Sequence, residues 1–286
     1  MEPDLKTIHS IVEGFVRGER GETGHSVILR DSLGLGSREM ISLVGAGGKT
    51  TLMFRLAKEL VRDGKKVITT TTTKILEPST EESPCLFIES ENEKIKEFVK
   101  KHLSRCRHIS LAQERIEPKK LKGVSSDFVT ELWNSKQTEY LIVEADGAAG
   151  HPVKAPRLGE PVIPPDTTLV VALLGVDGME LELREENIFR PELVSRLTGI
   201  PLGGRMTDEA MAMLITHPDG IFRGAPVSSR VVVFLNKVDV PHGMEKAKRI
   251  AERVLDQGHR QIERIVLGQL KKDPPVVEVF FQPHQS

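Results

Sequence analysis

The chain has 286 residues, 38% of them hydrophobic and 28% charged, which suits a folded protein with one large α/β domain or two small ones. Its 40 basic and 41 acidic side chains give a formal net charge of −1, which argues against nucleic acid or an anionic membrane as a partner. Cys85 and Cys106 are predicted to be reduced thiols, and the N-terminus has no apolar secretory core, so a cytoplasmic location is expected.

The first 38 residues are predicted to form an N-terminal extension that packs on the main domain. Within it, helical spacing of apolar residues predicts a short helix over Leu5–Val16, and residues 25–29 are predicted to form a strand. Residues 39–286 are predicted to form a single nucleotide-binding domain.

The main domain alternates short apolar runs with segments of helical periodicity. The apolar runs predict strands over Met40–Val44, Lys66–Thr73, Tyr140–Val143, Leu169–Leu174, Val231–Leu235 and Val276–Phe281. The periodic segments predict helices over Thr50–Asp63, Glu91–Leu103, Asp127–Trp133, Glu192–Leu197, Asp208–Ile215 and Glu245–Gln257. This order favours an α/β fold with a doubly wound, mainly parallel sheet, in a P-loop NTPase-like three-layer sandwich that binds its ligand at the carboxyl ends of the strands.

A glycine-rich turn connects the first of these strands to the first helix. Glycines allow backbone N–H groups to converge on an anion, and the helix N-terminus adds a partial positive charge. Lys49 can reach the β- and γ-phosphates of a nucleotide, and the Thr50 hydroxyl can bind Mg²⁺. The predicted phosphate-binding residues are Gly45, Ala46, Gly47, Gly48, Lys49, Thr50 and Thr51.

The spacing of this turn departs from the common P-loop pattern. That pattern, G-x-x-x-x-G-K-[ST], requires glycine at the position of Leu43, whereas the first glycine here is Gly45. The shorter G-x-x-G-K-T spacing resembles the loop of the Mur-type peptide ligases. A dinucleotide-binding G-x-G-x-x-G pattern would require glycine at Thr50, so the sequence excludes that alternative.

A second motif places two acids at the end of a predicted strand. Tyr140–Val143 leads into Glu144, Asp146 and Gly147, as in a Walker B strand whose carboxylate orders Mg²⁺. The metal ligands are predicted among Thr50, Glu144 and Asp146, and the sequence leaves open which acid serves. Lys49, Glu144 and Asp146 are the predicted catalytic residues.

A third motif follows the predicted strand Val231–Leu235. Asn236, Lys237 and Asp239 resemble the N-K-x-D motif of guanine-nucleotide-binding proteins. An aspartate at this position can accept hydrogen bonds from N1–H and N2–H₂ of guanine, which adenine cannot offer. The motif therefore favours GTP over ATP.

Several further polar residues lie near the predicted strand ends. Thr69–Thr73 is a run of threonines that is either an ordinary β-branched strand or a segment whose end contacts phosphate or substrate. Thr72 and Lys74, together with His151 and Lys154 of the following proline-rich loop, are the candidate substrate contacts. Lys119, Lys120 and Lys122 are predicted to lie on the solvated surface.

Several of these segments together resemble a known family, the YqeC-type accessory proteins of selenium-dependent (molybdenum) hydroxylases. The resemblance covers about residues 40 to 240. It implies a P-loop protein that assists maturation of a molybdenum hydroxylase. The matching segments are Val44–Thr51, Ile68–Lys74, Val143–Ala148, Lys154–Pro156, Glu160–Pro164, Phe189–Arg190, His217–Gly220 and Asn236–Asp239.

The leading hypothesis is a Mg²⁺-dependent accessory protein that hydrolyses GTP in preference to ATP. Its expected partners are a nucleoside triphosphate and a molybdenum hydroxylase or the proteins that mature its cofactor. Two alternatives stay open at this stage. One is an ATP-dependent ligase or kinase-like enzyme, as the Mur-like loop suggests, and the other is a non-catalytic chaperone that binds a nucleotide or a nucleotide-bearing cofactor.

Overall fold

The structure is a computed structural model that describes residues 28–282. Its strands are β1 (Glu39–Gly45), β2 (Val67–Thr71), β3 (Lys74–Leu76), β4 (Leu86–Ile88), β5 (His108–Ala112), β6 (Glu114–Glu117), β7 (Lys120–Lys122), β8 (Tyr140–Glu144), β9 (Leu169–Gly175), β10 (Arg230–Asn236), β11 (Ile262–Gly268) and β12 (Val276–Phe281). Its α-helices are α1 (Leu29–Ser32), α2 (Lys49–Arg62), α3 (Asn92–Cys106), α4 (Ser126–Asn134), α5 (Pro191–Thr198), α6 (Asp208–Thr216) and α7 (Gly243–Asp256). No helix within residues 28–282 combines the length and the apolar character that a bilayer span requires.

Nine of the strands form one sheet, in the order β12-β11-β10-β9-β1-β8-β2-β5-β4. All neighbouring pairs in it are parallel except β11 and β12. The strand β1 lies between β8 and β9, so the turn that follows β1 is at the middle of the carboxyl edge. Because parallel strands end at the same edge, the loops after β2, β8, β9 and β10 lie along that edge as well.

Helices cover both faces of the sheet, which confirms the predicted three-layer α/β fold. Side chains of β9 alternate between the two faces, as those of a fully buried strand must. Val170, Ala172 and Leu174 pack with α5, α6 and α7, whereas Leu169, Val171 and Leu173 pack on the opposite side with α2. A third apolar cluster joins α3 and α4 to β1, β2, β5 and β8.

Residues 28–38 are the described part of the predicted N-terminal extension. Leu29 and Leu33 are buried against α2, and the backbone N–H groups of Leu29 and Arg30 donate to the Glu59 carboxylate at 3.0 and 2.7 Å. Leu29 begins helix α1, so the strand predicted over residues 25–29 is wrong at this end. The helix predicted over residues 5–16 lies outside the described residues, and a domain boundary at residue 38 stays a prediction.

Each strand and helix predicted between Met40 and Phe281 is present, with ends that shift by a few residues. The sequence analysis missed β4, β5 and β11, and it missed a second sheet of three antiparallel strands in the order β3-β7-β6. These three strands are three or four residues long and mostly polar. Such segments carry too few apolar residues to show the periodicity of a strand.

Gly123 holds this small sheet close to the large one. Its N–H donates to Thr73 O at 2.9 Å, and a Cβ atom at this position would overlap the carbonyl oxygen of Thr71 at the end of β2. Because that obstacle is backbone, it cannot move aside as a flexible side chain could. The glycine therefore determines how closely β7 approaches the carboxyl edge of the large sheet.

We expect Gly123→Ala to lower the free energy of unfolding by about 1–3 kcal/mol, because the added methyl group forces the two backbones apart. Gly147→Ala is the matched control, since no atom lies within 4 Å of a Cβ atom built there. Urea denaturation of both variants measures the difference. Equal stabilities for the two variants would show that the contact at Gly123 is not required.

Candidate functional site

The turn after β1 is shaped by glycines with left-handed backbone angles. Gly45, Gly47 and Gly48 have φ values of 90°, 81° and 142°. A Cβ atom at Gly45 would overlap Leu173 O, and one at Gly48 would overlap the Asn236 side chain. The sequence can form this turn only because these residues lack side chains.

Helix α2 begins at the end of this turn and presents free N–H groups. Gly48 is the cap residue, and the first intrahelical bond runs from Leu52 N–H to Gly48 O at 2.9 Å. The N–H groups of the preceding residues in the first turn therefore have no partner inside the helix. These donors and the helix dipole create a position that favours an anion.

Lys49 is the first residue of α2 and is almost completely buried. Its ammonium group donates to Gly45 O at 2.6 Å, and it lies 3.2 Å from Asp146 Oδ1 and 3.9 Å from Glu144 Oε1. Asp146 Oδ1 is buried and accepts no well-aligned hydrogen bond, so its attraction to Lys49 is mainly Coulombic. Lys49 can therefore exchange this contact for an anionic oxygen in the turn.

Asp146 fixes the turn after β1 from its buried side. Its Oδ2 accepts a hydrogen bond from Gly45 N–H at 3.1 Å and pairs with Lys154 Nζ at 2.7 Å. Both side chains of the Asp146–Lys154 pair are fully buried, and Lys154 Nζ also donates to Gly147 O at 2.8 Å. The ion pair thereby connects the turn after β1 to the loop that follows β8.

The ion pairs continue from Lys154 toward α5. Glu160 Oε2 lies 3.5 Å from Lys154 Nζ and 2.6 Å from Arg190 Nη1, and Glu160 Oε1 lies 2.8 Å from Arg157 Nε. Burial raises the pKa of Glu160, but the hydrogen bond from Arg190 and the charge of Lys154 outweigh it and hold the pKa below its ordinary value. Glu160 is therefore ionised and fully paired.

Glu144 has different partners from those of Asp146. Its Oε2 accepts a hydrogen bond from Thr50 Oγ1 at 2.7 Å. Burial raises the pKa of Glu144 above its ordinary value, although Lys49 and the Thr50 hydroxyl oppose the rise. A cation that reaches the Glu144 carboxylate would therefore stabilise its ionised form.

The turn opens into a cleft of about 1260 Å³ that extends along the carboxyl edge of the sheet. Among the residues lining it, Glu144 and Glu160 are the acidic ones. The basic side chains along its walls are those of Lys49, Lys74, Lys120, Lys122, Arg157, Arg190, Lys237 and Lys271. This excess of positive charge suits an anionic ligand.

The third motif braces the turn as well as reaching the cleft. Asn236 Nδ2 donates to Gly47 O at 2.7 Å, and Asn236 Oδ1 accepts from Leu270 N–H at 3.0 Å. Lys237 lines the cleft and pairs with Asp177 at 2.6 Å. Asp239 pairs with Lys272 at 3.1 Å, and its side chain is not part of the cleft wall.

The threonine run divides into two parts. The Thr69 hydroxyl contacts Ser110 Oγ at 2.6 Å, and the Thr71 hydroxyl donates to Glu144 O at 2.7 Å, so these residues are buried parts of β2. Thr72 and Lys74 line the cleft, as the hypothesis of a substrate contact requires. The Thr72 hydroxyl is nevertheless engaged, because it donates to Val162 O at 2.7 Å.

His151 and Lys154, the other candidate substrate contacts, have separate positions. His151 lines the cleft, and its ring nitrogens lie 3.2 Å from Ala148 O and 2.9 Å from Glu185 O. Lys154 lies beneath the cleft, fully buried against Asp146. The structure therefore gives Lys154 a positioning role toward the turn in place of direct access to a ligand.

The cleft residues that had no function predicted from the sequence include Glu160, Arg190, Lys120 and Lys122. Glu160 and Arg190 appeared there only within segments that carry the family resemblance, and the two lysines were predicted to be solvated surface. The alternation of Lys120 and Lys122 about the buried Leu121 was the available signal, since side chains of a strand alternate between its faces. It is a weak signal in a strand of three residues.

Residues 41–192 match the model of a protein family described as YqeC protein. The chain is also 30% identical to the uncharacterized protein YqeC of Escherichia coli (strain K12) over 241 residues, which is 84% of this chain and 91% of that protein. The chain belongs to the YqeC family. The YqeC resemblance inferred from the motifs is thereby confirmed.

Solved structures of three other proteins show distant likeness. The signal recognition particle 54 kDa protein from Aeropyrum pernix K1, in complex with GDP, is 16% identical with a TM-score of 0.37, covering 86% of this chain and 44% of its own. FtsY from Mycoplasma mycoides is 12% identical with a TM-score of 0.40 and coverages of 94% and 71%. FlhF complexed with GTP/Mg²⁺ is 10% identical with a TM-score of 0.35 and coverages of 96% and 88%. With TM-scores this low, the fold assignment for the YqeC chain relies on its own sheet order.

We expect Lys154→Met to lower the free energy of unfolding by about 3–5 kcal/mol, because it leaves the buried Asp146 carboxylate without its closest counter-charge. The double variant Lys154→Met/Asp146→Asn should recover most of this loss, since neither charge remains. Urea denaturation of the single and double variants measures the coupling. If the double variant were as unstable as the sum of the two single variants, the ion pair would not be the cause.

Proposed function

We propose that this YqeC chain binds a nucleoside triphosphate with Mg²⁺ in the turn Gly45–Thr51 and hydrolyses it, with GTP preferred over ATP. The observation that carries the proposal is the convergence of four groups on one cleft: the free amides of the α2 N-terminus, the Lys49 ammonium, the Thr50 hydroxyl and the Glu144 carboxylate. Together these groups provide backbone donors and a positive charge for phosphate, and hard oxygen ligands for a metal.

Mg²⁺ fits between Thr50 and Glu144. Two neighbouring ligands of an octahedral Mg²⁺ ion, each about 2.1 Å from the metal, are about 3 Å apart. Thr50 Oγ1 and Glu144 Oε2 are 2.7 Å apart, so a small outward movement would place both in the metal shell, directly or through water. No group of three or more His, Cys, Asp or Glu residues within residues 28–282 could hold a metal on its own, which agrees with an ion that takes its other ligands from phosphate and water.

Glu144 and Asp146, which the sequence left equivalent, would have separate roles. Glu144 faces the cleft beside Thr50 and would serve the metal. Asp146 is enclosed by Gly45 N–H, Lys49 and Lys154, so it positions the turn and the lysine. When bound, Mg²⁺ supplies positive charge to the β- and γ-phosphates.

Hydrolysis at this site would depend on positioning and charge. Lys49 and the first-turn amides would stabilise the negative charge that spreads over the γ-phosphate oxygens in the transition state. Asp146 would keep Lys49 oriented without competing for it, because the partner that Asp146 holds most closely is Lys154.

Guanine preference would come from the loop after β10. Asn236 fixes the start of this loop through hydrogen bonds to Gly47 and Leu270. Lys237 and Asp239 therefore follow a residue that is held rigidly. Asp239 would exchange Lys272 for the N1–H and N2–H₂ groups of guanine, and the Lys237 stem would lie along the base. Because Lys272 has an exposed side chain, this exchange costs little.

We further propose that nucleotide turnover assists maturation of a molybdenum hydroxylase, as the family resemblance implies. The loops at Thr69–Lys74 and Gly147–Pro164 would change conformation and affinity for the client protein. A contact already connects them, since Thr72 Oγ1 donates to Val162 O at 2.7 Å. The free thiols of Cys85 and Cys106 agree with a reducing compartment such as the cytoplasm.

An ATP-dependent ligase or kinase-like enzyme is the second candidate. The basic cleft favours it, because its walls continue beyond the phosphate turn to Lys74 and Lys122. Tighter binding of ATP than of GTP would support this candidate against the first one. Nucleotide binding without phosphate release, with or without a client, would instead favour a chaperone that binds nucleotide or a nucleotide-bearing cofactor.

We expect Lys49→Ala to weaken binding of GTP with Mg²⁺ by at least about 1.5–3 kcal/mol, because a charge-assisted hydrogen bond to phosphate is lost. Lys58→Ala is the matched control, since Lys58 is an exposed lysine on the same helix. Isothermal titration calorimetry measures both affinities. Undiminished binding in Lys49→Ala would remove the basis for the proposed phosphate site.

We expect Asp239→Ala to weaken GTP binding by about 1–3 kcal/mol and to leave ATP binding unchanged, because only guanine donates to this carboxylate. Lys272→Ala serves as the companion variant, since it frees Asp239 and should not weaken GTP. A titration of each nucleotide against each variant tests this. An equal loss for the two nucleotides, or no loss, would exclude Asp239 as the residue that reads the base.

A further inference from the structure

The cleft is longer than one nucleotide requires. The loop at Asn236 and Lys237 follows β10, whereas Thr72 follows β2. In the sheet order β10 and β2 are separated by four strand spacings of about 4.8 Å, which is a distance of about 19 Å. The phosphate turn follows β1, midway between them. A base near β10 and phosphates at β1 would leave the β2 end of the cleft free.

The wall at the β2 end is the small sheet, and its cleft side carries lysines. Lys74 on β3 and Lys122 on β7 are direct cross-strand partners, and both line the cleft. Like charges directly opposite each other destabilise a pair of strands. The small sheet therefore retains an unfavourable charge pair at a position that lines the cleft.

Nearby carboxylates neutralise the charges of Lys74 and Lys122 only weakly. The carboxylate nearest to Lys122 is that of Glu114, at 4.0 Å, and within residues 28–282 Lys74 has no ion-pair partner. The two acids of the cleft wall are engaged elsewhere, Glu144 by Thr50 and Glu160 by Arg190. Lys120 also lines this end and keeps one exposed partner, Glu117, at 3.3 Å.

We propose that Lys74 and Lys122, with Lys120 beside them, form a second ligand site that binds a small molecule carrying phosphate or carboxylate groups. This site goes beyond the proposed nucleotide site, because it contains no residue of the turn Gly45–Thr51 or of the loop after β10. Leu76, whose surface is 70% exposed, lies on the same side of β3 as Lys74 and offers an apolar contact to the body of the ligand.

The size of the cleft agrees with two ligands. Pockets for a single small molecule usually enclose about 300–1,000 Å³, whereas this cleft encloses about 1260 Å³. Gly123 keeps the lysine-bearing strand close to β2, so the second ligand would lie beside Thr72 and within the same cleft as the nucleotide phosphates.

The alternative is that the lysines are ordinary solvated surface or help to stabilise the small sheet. A ligand site and a role in stabilising the sheet predict opposite effects on stability, whereas probe binding separates a ligand site from ordinary solvated surface. If Lys74 and Lys122 serve a ligand, their replacement removes a repulsion, and the free Lys74→Ala/Lys122→Ala protein should melt at the same temperature as the parent protein or above it. If they stabilise the sheet, it should melt lower.

The experiment uses the Lys49→Ala protein, in which the phosphate turn is disabled, and titrates it with pyrophosphate and, separately, with citrate. We expect this protein to bind at least one of the two probes, and we expect Lys74→Ala/Lys122→Ala in the same background to bind it at least about tenfold more weakly. The pair of probes separates a phosphate-bearing ligand from a carboxylate-bearing one. Because Lys49 is already removed, failure of the nucleotide proposal would not affect this result.

Two controls complete the test. Lys100→Ala/Lys101→Ala removes the same charge from exposed positions on α3 outside the cleft and should leave probe binding unchanged. The Lys74→Ala/Lys122→Ala variant with Lys49 intact should retain its affinity for GTP with Mg²⁺. Unaltered probe binding in Lys74→Ala/Lys122→Ala, an equal loss in the α3 variant, a lower melting temperature without ligand, or a matching loss of GTP affinity would each overturn the second site.

Discussion

The buried contact between Asp146 and Lys154 is the constraint on which the site depends. A carboxylate without solvent exposure is stable only if its charge is met by donors, and Asp146 receives Gly45 N–H, Lys154 and the nearby charge of Lys49. Through these contacts one side chain fixes the start of the phosphate turn and the loop after β8. The turn is therefore held in one shape, which would reduce the entropy lost on binding the proposed anion.

The order of the strands determines which polar groups meet at the cleft. Because β1 lies between β8 and β9, Glu144 at the end of β8 comes within 2.7 Å of Thr50 at the start of α2. Asn236 reaches Gly47 from β10, two strands away on the other side. The contact between Thr50 and Glu144 and a brace for the turn thus result from parallel pairing, which brings strand ends together at one edge.

The distribution of charge in the cleft distinguishes structural residues from those free to bind. Glu160 neutralises Arg190 in the cleft wall and Lys154 beneath it, so these cations contribute rigidity. Lys74 and Lys122 face each other across β3 and β7, and the acid nearest to Lys122 is Glu114 at 4.0 Å, so their charge would be available to the proposed second ligand. Burial and pairing, more than the number of basic residues, decide which of them act on a bound molecule.

The sequence by itself determined the phosphate turn, the acidic strand end, the Asn236–Asp239 motif and the three-layer fold, because each depends on local geometry or on apolar periodicity over a short stretch. It could not separate Glu144 from Asp146, since both follow β8 and only their surroundings differ. Nor could it show that Lys154 is buried, or that Lys120 and Lys122 face the cleft. Those facts arise from contacts between residues far apart in the chain, such as Gly123 with Thr73, and only the tertiary structure decides them.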